Sequence, residues 1–127
     1  MKLQAVLSRY EKVARDNANH QWALGYFSLK AQRYLSASRY LGTAFAKKKE
    51  LSLFNTLLSS LVEGERYGEI TALAKKYPLL RDKVTECYLG HAYVEEKNLR
   101  AARPLFEKMA RNSAAYESLC GDYFHKV

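Results

Sequence analysis

The chain is poor in helix breakers and in the cysteines that staple small folds. It has two prolines and six glycines among 127 residues, so few positions forbid regular helix. No apolar run approaches the roughly 20 residues of a membrane-spanning helix, so no membrane span is expected. Met1 to Tyr10 holds an apolar stretch that is too short, and too soon charged, for a secretory signal. These absences predict a soluble, cytoplasmic protein. The two cysteines, Cys87 and Cys120, do not make a disulfide framework. Cys87 lies two residues before Leu89 and Cys120 one after Leu119. On that phase they leave different sides of their helices, and buried reduced thiols are expected instead of a bridge.

Chemistry-bearing motifs are also missing. No serine or cysteine sits in a nucleophile motif. Glu95-Glu96, and Asp82 with Glu86, read as ordinary helix-surface pairs. Cys87 and His91 stand four residues apart on one helical face, which is half of a zinc site. His125 is the one further candidate and no fourth ligand follows. The expectation is therefore no enzyme, no cofactor and no metal.

What is present is a repeated spacing. Hydrophobic residues make up 48% of the chain, enough to exclude compositional disorder and to build one compact core. From Leu24, Leu57 and Leu89, steps of 10, 13, 17 and 20 residues meet apolar or aromatic residues each time. They are Tyr34, Ala37, Leu41, Ala44; Tyr67, Ile70, Ala74, Tyr77; and Leu99, Ala102, Phe106, Met109. The starting leucines lie 33 and 32 residues apart, the period of helical-repeat proteins.

Each repeat reads as two helices. The first helices fall at about 19–31, 51–63 and 81–95, the second at about 35–47, 67–76 and 99–111. Gly64 and Asn98 suit helix ends that need a left-handed residue. Tyr77-Pro78 closes the second repeat. Pro104 should kink or shift its helix, or delay the regular helix until Arg103. Leu3, Val6, Leu7, Tyr10, Val13 and Ala14 mark a leading helix, and Tyr116, Leu119 and Tyr123 a terminal one. The expected organisation is a single domain over 1–127: leading helix 1–18, repeats 19–48, 51–78 and 81–111, and terminal helix 113–125.

These residues resemble the tetratricopeptide repeat. The third repeat matches best, with Leu89-Gly90, Tyr93, Ala102 and Phe106; the first offers Leu24-Gly25, Ala37 and Leu41; the second Leu57, Leu61, Ile70 and Ala74. The small residue after the leucine and the alanine of the second helix let two helices approach closely. Leu58 and Ser28 depart from the pattern, and no tryptophan stands three before any of the leucines. The resemblance implies an all-α fold, a right-handed superhelical array of antiparallel helix pairs whose first helices line a concave groove.

That groove would be lined by Trp22, Tyr26, Leu29, Asn55, Val62, Cys87, His91 and Val94. The sixteen positions at −5, −2, +2 and +5 on the first helices and the final helix include one charge, Glu117. A helix apolar on both sides must be covered twice. The expected cover is an apolar or amphipathic segment of a partner protein, with the chain's own leading helix or a homodimer as alternatives. The clamp of lysine, asparagine and arginine by which some family members hold an acidic C-terminus is missing apart from Asn55: its sites fall on residues such as Trp22, Tyr26, Cys87 and His91. Small stand-alone members include bacterial secretion and pilus-assembly chaperones, so the resemblance implies an adaptor or chaperone of that kind.

The formal charge of +8 opens an alternative, a basic-surface module for RNA or another acidic partner. Its residues would be Lys47, Lys48, Lys49, Lys75, Lys76, Arg100 and Arg103. Nucleic acid ranks below a protein partner, since Tyr10, Tyr34 and Tyr67 fall on core stripes and no nucleic-acid motif appears. Lys47 to Lys49 also end a second helix, where cations offset the helix dipole.

Overall fold

The computed structural model describes residues 17–116 and Cys120. Residues 1–16 of the leading helix expected over 1–18, and residues 117–119 and 121–125 of the terminal helix, lie outside the described residues; Asn17 and Ala18 belong instead to the start of the first described helix. The described residues form six α-helices and no strand: α1 Ala18–Lys30, α2 Tyr34–Lys47, α3 Leu51–Glu63, α4 Tyr67–Lys76, α5 Lys83–Glu95 and α6 Leu99–Arg111. A further helical turn begins at Ser113. The chain divides into two compact units, the first ending at Gly64 and the second beginning at Glu65.

Local chemistry sets the helix ends. Asn17 caps α1, its side chain accepting from the His20 N–H at 3.1 Å. Asp82 and Thr85 form a capping box at α5: Asp82 accepts from the Thr85 N–H at 2.9 Å, and Thr85 Oγ1 accepts from the Asp82 N–H at 3.2 Å. Such caps satisfy donors that the first turn leaves open. Asn98 is the N-cap of α6, accepting from the Ala101 N–H at 3.3 Å, and not the left-handed end of α5. α6 starts at Leu99 and runs through Pro104 without delay to Arg103.

The left-handed residues are Gln32, Glu65 and Lys97, with φ of 60°, 58° and 59°. Gly64 precedes this position and has φ −86°. In the first hairpin the Gln32 N–H donates to Leu29 O and the Arg33 N–H to Ser28 O. In the third, the Lys97 N–H donates to Val94 O and the Asn98 N–H to Tyr93 O. These paired bonds are the motif that captures the last carbonyls of a helix and turns the chain. The three left-handed residues each follow the repeat leucine by eight positions. The sequence period is thus also a period of backbone conformation.

In the first unit α1 packs on α2 and α2 on α3. Leu24, Ala37, Leu41 and Ala44 are wholly buried, and the rings of Phe45 and Phe54 meet at 5.1 Å. A Cβ on Gly25 would stand 2.5 Å from Leu41 Cγ and 3.2 Å from the Leu41 backbone nitrogen. In the second unit α4 packs on α5 and α5 on α6. A Cβ on Gly90 would meet Phe106 Cζ at 3.2 Å. In both hairpins the small residue after the leucine therefore faces the large residue seventeen positions beyond the leucine. Burial of each such leucine or phenylalanine stabilises by about 1.5–3 kcal/mol. The leucine and the +13 residue are buried in all three repeats, whereas Tyr34 and Tyr67 are half-buried and Leu99 is exposed.

The cysteines correct an expectation. Cys87 and Cys120 are joined in a disulfide, with Cα atoms 5.7 Å apart, well within bridging range. Helix phase says which side of its own helix a side chain leaves. It does not say where two segments meet in space, and here the fold brings the sulfurs together. Both residues are buried in a cluster with Leu89, Ala102, Leu105, Phe106, Met109 and Tyr116.

Candidate functional site

Helix α1 offers large apolar side chains to solvent on two flanks. Gln21, Leu24, Gly25 and Ser28 form its buried face. Trp22, Tyr26 and Leu29 are spaced by four and three residues and so share a second face, about a third of a turn away. Trp22 and Leu29 are half-buried and Tyr26 is 47% exposed. Phe27, also 47% exposed, projects on the opposite flank, and Leu35 opens α2 at 59% exposure. The sequence reading missed Phe27 and Leu35, which belong to neither stripe it followed.

Cations stand at both ends of this face. Lys48, just after α2, donates through Nζ to Asn19 Oδ1 at 3.4 Å, beside the start of α1. At the other end Lys30 Nζ lies 5.4 Å from the centroid of the Tyr26 ring, a cation–π contact. Lys48 also pairs with Glu50 at 3.5 Å, both half-exposed. Lys49 Nζ donates to Ala46 O at 3.3 Å, against the end of α2, and Lys47 is exposed.

The remaining expected groove residues fare differently. Asn55 is half-buried. Val62, Cys87 and His91 are buried. Cys87 spends its sulfur in the disulfide, which removes it as a metal ligand. His91 meets Tyr67 edge-on at 5.4 Å between ring centroids. Val94 packs partly buried against the second unit's core. Of the basic residues, Lys75, Lys76, Arg100 and Arg103 are exposed, and Lys76 lies 5.5 Å over the Tyr77 ring. No three His, Cys, Asp or Glu side chains among the described residues converge as metal ligands would.

Glu86 is not the surface residue that sequence suggested. It is buried and accepts from Tyr116 OH at 2.5 Å and from Lys108 Nζ at 2.6 Å, with Arg81 Nε 3.4 Å away. Burial pushes its pKa up. The hydrogen bonds from Lys108 and Tyr116, with the charges of Lys108 and Arg81, outweigh that and hold the carboxyl below its usual value of 4.5. Burial, then the bond to Glu86 and its negative charge, push the Tyr116 hydroxyl up to about 12. The network lines an open cleft of about 550 Å³ together with Pro78, Asp82, Lys83 and Asn112. Lys108 and Arg81 offset the charge of Glu86 and Tyr116 hydrogen-bonds to it, so the arrangement reads as a tie between α5, α6 and the turn after it. The carboxylate's position opposite Lys108, 22 residues on, left no trace in local sequence.

No family model, no curated protein and no solved structure matches the chain.

Proposed function

We propose that the chain is a tetratricopeptide-like binding scaffold, an adaptor or chaperone that holds an apolar or amphipathic segment of a partner protein. The right-handed superhelical array that the resemblance implies is part of this proposal. The observation that carries it is α1: one face is buried against its own hairpin, and a second presents Trp22, Tyr26 and Leu29. Large amphipathic aromatics dominate interface energetics, and a helix bearing such a face calls for an outside cover. The recurrence of the left-handed residue at Gln32, Glu65 and Lys97 supports a true repeat. So does the matching approach of Gly25 to Leu41 and of Gly90 to Phe106.

The binding face is narrower than the eight-residue groove of the sequence reading, because Val62, Cys87 and His91 are buried. The disulfide supports an oxidising compartment over the cytoplasm, where thiol systems keep such pairs reduced. No helix among the described residues is long and apolar enough to cross a membrane.

Trp22→Glu tests the proposal. Native mass spectrometry of complexes isolated from the host at moderate salt should show a polypeptide on the wild type. The variant should lose it while keeping its helical circular dichroism. Retention of the same polypeptide by a folded Trp22→Glu protein would overturn the reading, and a species of twice the chain mass would assign a homodimer instead.

A further inference from the structure

The first hairpin is of one charge sign. Between Asn17 and Lys49 there is no aspartate or glutamate, while Lys30, Arg33, Arg39, Lys47, Lys48 and Lys49 are all present. Single-sign fields steer and select partners of the opposite sign. The placement of two of these cations is specific. Lys48 is held at the N-terminal end of the α1 face by Asn19, and Lys30 at its C-terminal end over Tyr26. Asn19 and Lys30 are eleven residues apart in one helix, which is about 16 Å of axis. The span between them is filled by Trp22, Tyr26 and Leu29.

We infer that the occupant of this face is an acidic amphipathic helix of another protein. This rests on the binding-scaffold reading above and adds the chemistry of the partner. Its apolar side lies on Trp22, Tyr26 and Leu29, and carboxylates about eleven residues apart meet Lys30 and Lys48. A nucleic acid fits less well. Its phosphates repeat every few ångströms along a strand, whereas the cations here leave the middle of the face apolar. Glu50 already pairs with Lys48 at the surface. A partner carboxylate would compete for that lysine, with little lost from an exposed pair.

Trp22 is the single tryptophan of the chain and lies on the face, so its emission reports occupancy directly. Three synthetic helices of about 16 residues, free of aromatics and sharing one leucine face, would be titrated against the intact protein. They carry glutamate, glutamine or lysine at both flanks; a short single-stranded oligonucleotide is the fourth probe. The glutamate peptide should bind tightest, lose affinity as salt rises, and weaken about tenfold with the Lys30→Glu, Lys48→Glu double variant, about threefold per cation. The lysine peptide should gain on that variant, which a misfolded protein could not produce. Equal binding of all three peptides would overturn the charge inference and leave the apolar face standing. If no peptide moved Trp22 emission, the binding-scaffold reading would fall with it. A response to the oligonucleotide alone would assign the surface to nucleic acid and overturn the inference.

Discussion

Two glycines of the first hairpin have opposite surroundings, and alanine at each gives opposite outcomes. Both lie within helices, where glycine to alanine stabilises by about 1 kcal/mol through backbone entropy. At Gly42, in α2, an added Cβ meets nothing within 4 Å, so Gly42→Ala should raise stability by about 1 kcal/mol. At Gly25 the Cβ would stand 2.5 Å from Leu41 Cγ and 2.7 Å from Cδ2, about 1 Å inside the optimal carbon–carbon separation. Leu41 is wholly buried and cannot swing into solvent, and its backbone nitrogen at 3.2 Å resists a simple side-chain shift. Overpacking of this kind costs about 3 kcal/mol at the upper end. Less the propensity gain, Gly25→Ala should destabilise by about 2 kcal/mol. Trp22 lies in the first unit, so urea unfolding followed by its fluorescence reads the right transition. The midpoints of the two variants should move in opposite directions from the wild type. A Gly25→Ala protein as stable as Gly42→Ala would mean that α1 and α2 do not approach this closely. The repeat's small residue would then have no packing role.

Three further predictions concern the second unit. Glu86 has a folded pKa below its unfolded value, so its contribution is complete above about pH 4.5 and is lost as pH falls through the folded pKa. Urea unfolding between about pH 6 and 3 should show a loss of stability that Glu86→Gln largely removes, and an unchanged slope in the variant would refute the network. Tyr116 runs the other way: raised to about 12, its stabilisation is lost only as pH climbs past about 10. The disulfide spans a sequence separation of 33, for which chain entropy predicts about 4 kcal/mol. Reduction, or Cys87→Ala with Cys120→Ala, should lower the second unit's unfolding midpoint accordingly. An unmoved midpoint in protein shown by mass to be reduced would sink that estimate.

How much was legible beforehand follows from the range of each interaction. Helices, hairpin turns and the buried leucine, +13 and small-residue positions are set by contacts within one hairpin, and period alone exposes them. The left-handed residue was placed at Gly64 and Asn98 because composition favours them, while geometry puts it at Glu65 and Lys97. Any residue pays a modest strain there when two backbone bonds capture the helix end. The absence of acid from Asn17 to Lys49 was open to inspection. Its meaning came only when Lys30 and Lys48 proved to stand at the two ends of one face.

Sequence by itself determined the all-helical character of the described residues, the 32- to 33-residue period, the core leucines and the excess of positive charge. These depend on spacing along the chain, which the helix converts into faces. Only the tertiary structure decided that Cys87 meets Cys120, that Glu86 is buried among Lys108, Tyr116 and Arg81, and that Val62 and His91 are buried. Each of those depends on how one element crosses or covers another, and helical phase carries no record of it.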